Sequence, residues 1–560
     1  MMLDNYAIAD NFSLLGKLMD IHGDNSFKAK SYSSAAFTIE KLPVQLSTLP
    51  HDQIFAIKGI GESTGKKVVE QLQTGKLAAL EEYLAKTPTG ILEMLGIKGI
   101  GPKKIATIWK ELEIESIGEL LYACEENRLT LYKGFGEKTQ QNIKEAIQFY
   151  LGTLGRYLYQ QVEDYTIAID KKLKSVFGTD AVIITGEFRR QMEIINQLEW
   201  VFTGSVDQLI TFLEESGFVK TAHVDNKISF KGAKNVLLVF YPTTKATSIA
   251  RLFETSCGEA FMEEWTRRFS WQSDAAFAFE EEIFNSVNIC PLPPYQRETA
   301  AIIAAAEKNE LPSVIQAEDI QGIIHSHSQW SDGSNSLEEM AKAAITMGLE
   351  YLVISDHSKS AFYANGLTEE RIYAQHQQID EINTSIAPFK IFKSIESDIL
   401  NDGSLDYADD ILKSFDVVIA SIHSNLKMNE EKAMMRLIRA IENPYTAILG
   451  HMTGRLLLSR NGYPVDHQKI IDACAANDVV IELNAHPRRL DLDWRWIEAA
   501  LKKNVLISID PDAHDIDGYN DCKYGVLVAQ KAGLSKSQNL SSFSLAAFEK
   551  FVAKQKSKRP

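Results

Sequence analysis

From residue 321 onward, histidine, aspartate and glutamate recur where short apolar segments end. The run opens with His325-Ser-His327 in "GIIHSHSQWSDG", followed by Asp332. It continues through Asp356-His357 in "VISDHS", Glu396 in "FKSIESDIL", His423 in "IASIHS" and His451 in "ILGHMTG", and closes on Asp512-Ala-His514 in "SIDPDAH". The preceding runs are β-branched and apolar, the pattern of buried strands. A side chain at the C-terminal end of a parallel strand points into the mouth of an α/β barrel, where such folds collect their chemistry. One such histidine would mean little. The set, with carboxylates between, predicts a multi-metal hydrolase site. The alternative is a barrel whose histidines are only hydrogen-bonded in the core.

At 560 residues the chain exceeds one ordinary core, and three or four domains are expected. Its 45% hydrophobic and 24% charged content is that of a soluble globular protein. No apolar run approaches a membrane span, and the start "MMLDNYAIADNF" lacks the basic and apolar regions of a signal peptide, so a cytoplasmic location is expected. Cys124, Cys257, Cys290, Cys474 and Cys522 are scattered and form no CxxC, which reads as reduced thiols. Of the net charge of −16, residues 1–150 carry −2 and the remainder −14. Any grip on nucleic acid must therefore be local.

The N-terminal third reads as helical and repetitive. "IKGIGESTGKKV" (Ile57 to Val68), "IKGIGPKKI" (Ile97 to Ile105) and "YKGFGEKTQQNI" (Tyr132 to Ile143) each place Gly-hydrophobe-Gly before an amphipathic helix. The glycine pairs are Gly59 and Gly61, Gly99 and Gly101, and Gly134 and Gly136, with Lys66, Lys67, Lys103, Lys104 and Lys138 behind them. Glycine permits a tight hairpin whose N–H groups approach a phosphate, and the helix N-terminus adds its positive dipole end. This is the helix-hairpin-helix pattern of sequence-independent binding to the DNA backbone. Gly-capped turns in a helical array are the alternative. Upstream, an amphipathic helix is expected to bury Phe27, Tyr32, Ala36 and Phe37 and expose Lys28 and Lys30, which either touch a 5′ phosphate or form a solvated face.

Between about 150 and 245, strand-like runs ("AVIITG", "LEWVFTG", "KISFKG", "NVLLVFYP") alternate with helices. The order of hairpins, "GEFRR", a small α/β unit and a histidine-rich C-terminus resembles bacterial family X DNA polymerases over essentially the whole chain. The resemblance implies a Gly-Ser motif with arginines for nucleotide phosphates and three aspartates for two magnesium ions. Gly186, Arg189 and Arg190 match, but Glu187 stands at the serine, Gln197 and Glu199 at the aspartate pair, and Leu237 at the third carboxylate. "ETSCGEAF" (Glu254 to Phe261) departs as well, whereas "NICPLPPYQRE" (Asn288 to Glu298) matches. The expectation is an inactive polymerase site whose arginines form ion pairs with Glu187 or Glu193, or position DNA.

The C-terminal part resembles the polymerase-and-histidinol-phosphatase (PHP) domain, a distorted (β/α)7 barrel with three divalent ions. The resemblance implies His325, His327, Glu396 and Asp512 on the first ion, Glu396, His423 and His451 on the second, and Asp332, His357 and His514 on the third. Nine filled positions weigh against a merely structural role. Ile323 departs from the polar residue usual before the first histidine, without removing a ligand. The donor set suits zinc, manganese or iron, and the family precedent favours manganese. Such ions make water nucleophilic near neutral pH and stabilise a departing oxygen. The catalytic assignment falls on Glu396, Asp512, His357 and Arg455; Arg455 with Arg488 or Arg489 is a candidate for holding a neighbouring phosphate, or else a rim ion pair. Lys359 and Tyr363 are candidate substrate contacts, and His486 matches no ligand.

The expected fold is multidomain: a helical helix-hairpin-helix N-terminus (1–80 and 81–150), a degenerate α+β nucleotidyltransferase-like palm (151–245), a helical thumb (246–300), a linker (301–320) and the barrel (321–560). The expected activity is a manganese-dependent 3′-5′ exonuclease in DNA repair, with 3′-end cleaning or abasic-site cleavage as variants. Its partner would be DNA, gapped or with a free 3′ end, and the chain a monomer. A working gap-filling polymerase with an exonuclease and a phosphatase of the histidinol-phosphatase type are the competing readings. Gln197 and Leu237 count against the first, and three DNA-backbone hairpins against the second.

Overall fold

Seven parallel strands dominate the second half: β1 (Gly322–Ser326), β2 (Tyr351–Ile354), β3 (Lys390–Asp398), β4 (Val417–Ser421), β5 (Ile448–Leu449), β6 (Val480–Asn484) and β7 (Ile507–Asp510). The computed structural model describes residues 4–560 apart from 43, 98, 153, 154, 225, 233 and 234. Each strand pairs with the next in sequence, giving one sheet in the order β7-β6-β5-β4-β3-β2-β1. His327 N donates to Ala513 O at 2.8 Å, and a parallel bridge joins Ser326 to Ala513, so the chain just past β7 meets the end of β1 and nearly closes the barrel. β1, β2, β4, β5, β6 and β7 are buried along their whole length. That explains their continuous apolar runs, because helices cover the outer face of a parallel sheet. The covering helices include Leu337–Thr346, Glu369–Ile386, Glu430–Ile441, His467–Asn477, Cys522–Lys531 and Leu545–Ser557.

By its internal contacts the chain divides into two units, one of Met1–Glu125 and Tyr132–Gln148, the other of Glu126–Leu131 and Phe149–Pro560. The first is helical. Its helix Ser26–Glu40 buries Ala29, Tyr32, Ala35, Ala36 and Ile39, a stripe at helical spacing. Tyr32 and Ala36 are buried as the sequence predicts, but Phe27 and Phe37 are 81% and 59% exposed because they fall off that stripe. Lys41 instead lies over the Phe37 ring, 3.9 Å from its centroid.

The three glycine pairs share one geometry. Gly59, Gly99 and Gly134 lie at φ +97°, +92° and +95°, which a side chain would oppose. Gly61 and Gly101 cap the helices Glu62–Thr74 and Pro102–Lys110, and Gly136 directly precedes the helix Glu137–Gly152. A β-carbon added at any of these last three would meet nothing within 4 Å. Lys98, in the second copy, lies outside the described residues.

In the second unit, a five-stranded mixed sheet runs in the order Val182–Thr185, Gln197–Phe202, Leu237–Pro242, Lys227–Lys231, Val219–Val224. The helices that follow (Ser248–Thr255, Glu259–Phe269, Glu280–Asn285) pack around Phe253, Phe261, Trp265 and Phe284. No helix among the described residues is long and apolar enough to cross a membrane.

The loop after β1 is tied down by backbone: Gly333 N donates to Ser328 O at 3.0 Å, and Ser334 N to His514 O at 2.8 Å. A β-carbon at Gly333 would fall 2.1 Å from His327 O. Gly333→Ala should cost about 1–3 kcal/mol through overpacking, read as an earlier urea midpoint of the full chain. An unchanged midpoint would mean that the loop yields.

Candidate metal centre

Strand ends deliver the polar cluster. His325 and Glu396 lie within β1 and β3, while His327, His357, His423, His451, Asp512 and His514 lie just beyond the ends of β1, β2, β4, β5 and β7. Register slips between Ile323 and Ser326, and His325 and Asp512 adopt φ of +61° and +53°. A left-handed backbone at bulky residues persists only where its surroundings enforce it, and such strain gathers at functional sites.

Glu396 stands at the centre. Its carboxylate oxygens lie 2.9 Å from His357 Nδ1, 2.9 Å from His451 Nε2, 3.1 Å from His423 Nε2, 3.3 Å from His325 Nε2 and 3.7 Å from His327 Nε2. Asp512 Oδ1 lies 3.0 Å from His327 Nε2 and 3.4 Å from His325 Nε2. Asp332 lies 3.5 Å from His514 Nε2 and 3.6 Å from His357 Nε2. All nine predicted positions thus come together.

Three subsets place one donor atom each within 4.8 Å of the others: His327 with Asp332, His357 and His514; His325 with His327 and Asp512; and His357 with Glu396 and His423. The donor atoms fit divalent ions in another respect. His325 Nε2, His327 Nδ1, His357 Nδ1, His451 Nδ1, His514 Nε2, Asp332 Oδ2 and Glu396 Oε2 are buried and make no hydrogen bond of good geometry. Buried polar atoms seldom go unpartnered unless an ion or water completes them.

The site's electrostatics agree. Burial works against ionised Glu396, yet His423, His325 and His357 hold its carboxyl well below the usual range. Burial lowers His423, but Glu396 and Asp398 override it and push the imidazole up to about 10. Asp332 and Glu126 do the same for His514, also to about 10. Burial, with His357 and His514 nearby, takes His327 down to about 3. The carboxylates call for positive charge, which protons supply when metal does not.

Behind the donors stand acids that the sequence reading did not single out. Glu482 Oε2 lies 2.5 Å from His325 Nδ1, and Asp398 Oδ1 2.5 Å from His423 Nδ1. Each fixes which ring nitrogen faces the cluster, as carboxylates behind metal-bound histidines do. Asp398 had a signal, lying two residues after Glu396 on the same strand face. Asp356 accepts from Ser328 N and Oγ, Ser331 Oγ and Gln375 Nε2, anchoring the loop after β1.

Of the two places expected for Arg455, a phosphate contact or an ion pair, its contacts are those of the ion pair. It pairs with Asp493 at 2.6 Å and donates to the carbonyls of Arg489 and Leu490, clamping a loop rather than facing the donors. Arg489 is the arginine at the cluster, with Nε 3.6 Å from Asp512 Oδ2. Arg455 and Arg488 line a cavity of about 490 Å³ with Arg156 and Arg460. Lys359 pairs with Glu369 at 2.6 Å, and His486 Nδ1 accepts from Arg488 N.

In the five-stranded sheet, Gln197 pairs in register with Leu237, and Glu199 with Val239. Glu199 accepts from Tyr241 Oη at 2.7 Å, Gln197 Nε2 at 2.9 Å and Glu187 N at 3.2 Å. Gly186 sits at φ +69°, where a β-carbon would strike the Glu199 carboxylate. Arg189 pairs with Glu280 and Arg190 with Glu298, rather than with the predicted Glu187 or Glu193, because the helices after the sheet bring those acids over. Glu187 accepts instead from Asn196 N and Nδ2.

Comparison with known proteins gives this arrangement a lineage. Residues 3–77 match the helix-hairpin-helix domain family, 91–148 a SAM-like helix-hairpin-helix tandem, and 324–486 the PHP domain. The DNA polymerase/3′-5′ exonuclease PolX of Bacillus subtilis (strain 168) is 32% identical over 558 residues, 95% of this chain and 96% of the relative. A probable phosphatase of Thermoanaerobacter sp. (strain X514) is 26% identical over 39% of this chain and 89% of its own length. One of Caldanaerobacter subterraneus is 29% identical over 27% of this chain and 56% of its own length. With hairpin modules before a PHP barrel and one relative matching nearly end to end, the chain belongs to the PolX group of family X DNA polymerases.

Proposed function

We propose that this enzyme hydrolyses DNA phosphodiesters from a 3′ end in its barrel, acting in repair on gapped or 3′-ended DNA, and that its palm is a scaffold without nucleotidyl transfer. The contrast between two buried carboxylates carries the reading. Glu396 is ringed by imidazoles and uncompensated donor atoms, whereas Glu199 is fully engaged by a hydroxyl, an amide and an N–H. Its relative in Bacillus subtilis is named for both polymerase and exonuclease activity; the phosphatase relatives match only a barrel-sized share of the chain.

His325, His327, Glu396 and Asp512 would hold one divalent ion, Glu396, His423 and His451 a second, and Asp332, His357 and His514 a third, with manganese or zinc suited to these donors. Ions so held lower the pKa of water and neutralise charge on a phosphoryl group. The protein's part is to fix donor geometry through Glu482 and Asp398 and to offer Arg489 to a phosphate. The hairpins would deliver the strand: Gly61, Gly101 and Gly136 leave open the space a β-carbon would fill, so backbone N–H groups can reach a phosphate. The segments 1–80, 81–150, 151–245, 246–300 and 321–560 then act as two hairpin modules, palm, thumb and hydrolase.

A labelled primer on gapped DNA, incubated with manganese with and without all four nucleotides, tests the reading. Shortening in both conditions is expected; templated lengthening would overturn the scaffold assignment. Glu396→Ala should abolish shortening, and persistent manganese-dependent shortening would refute the site. Asp398→Asn should cost about 10–100-fold in metal affinity or rate, as loss of a partner behind a ligand does. Manganese affinity, followed by calorimetry, should rise with pH, because His423 and His514, raised to about 10, must shed protons to bind an ion. A triple Gly61→Ala, Gly101→Ala, Gly136→Ala variant should stay folded and lose DNA affinity at constant salt; unchanged affinity would show that the hairpins do not grip the strand.

A further inference from the structure

Six residues that interrupt the helical unit in sequence, Glu126–Leu131, belong to the second unit. Three consecutive side chains there meet the mouth of the barrel. Glu126 Oε1 lies 4.0 Å from His514 Nε2 and 4.0 Å from Arg489 Nη2. Asn127 Nδ2 donates to Ser334 Oγ at 2.8 Å, on the loop that carries Asp332. Arg128 sets its guanidinium over the Tyr363 ring, 4.4 Å from the centroid, and lies 3.5 Å from Glu126 Oε2.

Glu126 is only 7% exposed. A carboxylate leaves water at a cost that only a partner offsets, and here the neighbours are two arginines, Arg128 on one oxygen and Arg489 on the other, and a candidate metal ligand. His514 turns Nδ1 to Asp512 O, which leaves Nε2 facing both Asp332 and Glu126. Two donors on one ion with bonds of about 2.1 Å stand roughly 3.0 to 4.2 Å apart, depending on the angle between them. Glu126 Oε1 lies at the far end of that range from His514 Nε2, one donor of the third set, with the Arg489 guanidinium also 4.0 Å away. A phosphate ester has the same needs: one oxygen on an ion and another on an arginine.

We propose that Glu126 is an internal phosphate mimic. In the resting enzyme its carboxylate occupies the anion position between the third ion and Arg489, and Glu126–Leu131 plugs the mouth. A phosphate of the substrate strand displaces it, and the segment lifts with Arg128 leaving Tyr363. The proposal rests on the reading of the barrel as a phosphodiesterase and adds a competitor built into the chain.

The test uses the full-length, manganese-loaded protein, wild type against Glu126→Gln and against Asn127→Ala, which cuts the segment's hydrogen bond to Ser334 and leaves the Glu126 carboxylate and its partner Arg128 in place. Thymidine 5′-monophosphate binding is measured by calorimetry, hydrolysis of its p-nitrophenyl ester by absorbance, and metal content by mass spectrometry. Both variants should bind the nucleotide more tightly and show a lower KM, by about tenfold for Glu126→Gln, with metal content unchanged. Unchanged nucleotide affinity in both would overturn the plug. Loss of one ion in Glu126→Gln would overturn it too, making Glu126 a resident ligand. If wild type hydrolysed neither the ester nor DNA, the phosphodiesterase reading would fail, while nucleotide binding would still report on Glu126.

Discussion

The carboxylate of Glu396 lies within 3.7 Å of five imidazoles drawn from four strands or their ends. No single local segment can build such a contact set. It requires parallel strands that all end at one mouth, so the barrel's topology and the centre's chemistry are one constraint. It also requires positive charge, because Glu396, Asp332 and Asp512 are buried together and each is held well below the usual carboxylate range. In a low-dielectric interior that arrangement is stable only with cations or protons among the carboxylates. The positive φ at His325 and Asp512 belongs with this crowding: strain is tolerated where the surroundings over-determine the backbone.

Glu199 shows the opposite solution to the same problem. Burial raises its carboxyl, and neutral donors from Tyr241, Gln197 and the Glu187 backbone satisfy it. No group of three or more donors placed for an ion occurs there among the described residues. The arginines that would face a triphosphate are turned instead to Glu280 and Glu298, and buried Lys531 from the barrel's outer helix also reaches Glu298. Lys531 also donates to the carbonyl of Arg190, which ties the turn after the sheet's first strand to that helix.

How much of this was legible depended on range. Strand ends were readable because β-branched runs stop at polar residues, and the hairpins because glycine recurs at fixed spacing before a helix. Glu482 and Glu126 were not, since each meets the centre through non-local contacts: Glu482 reaches His325 across 157 positions and the backbone of His451 across 31. Arg455 looked like a phosphate ligand because its type fits; its partner Asp493 lies 38 positions on, beyond local pattern. Phe27 and Phe37 were misplaced for a subtler reason. Small residues at 29, 35 and 36 define the packed face of that helix, and hydrophobicity alone overrode the spacing.

The acidity of the chain now has a physical sense. With −14 over residues 151–560, long-range attraction of DNA to the hydrolase half is unfavourable. The hairpin glycines stand at helix N-termini, and Lys66 is already paired with Glu62. Contacts made by backbone dipoles release few counterions, so binding through them weakens less with salt than binding through many lysines. Beside the donor cluster, positive charge is supplied by Arg489, 3.6 Å from Asp512.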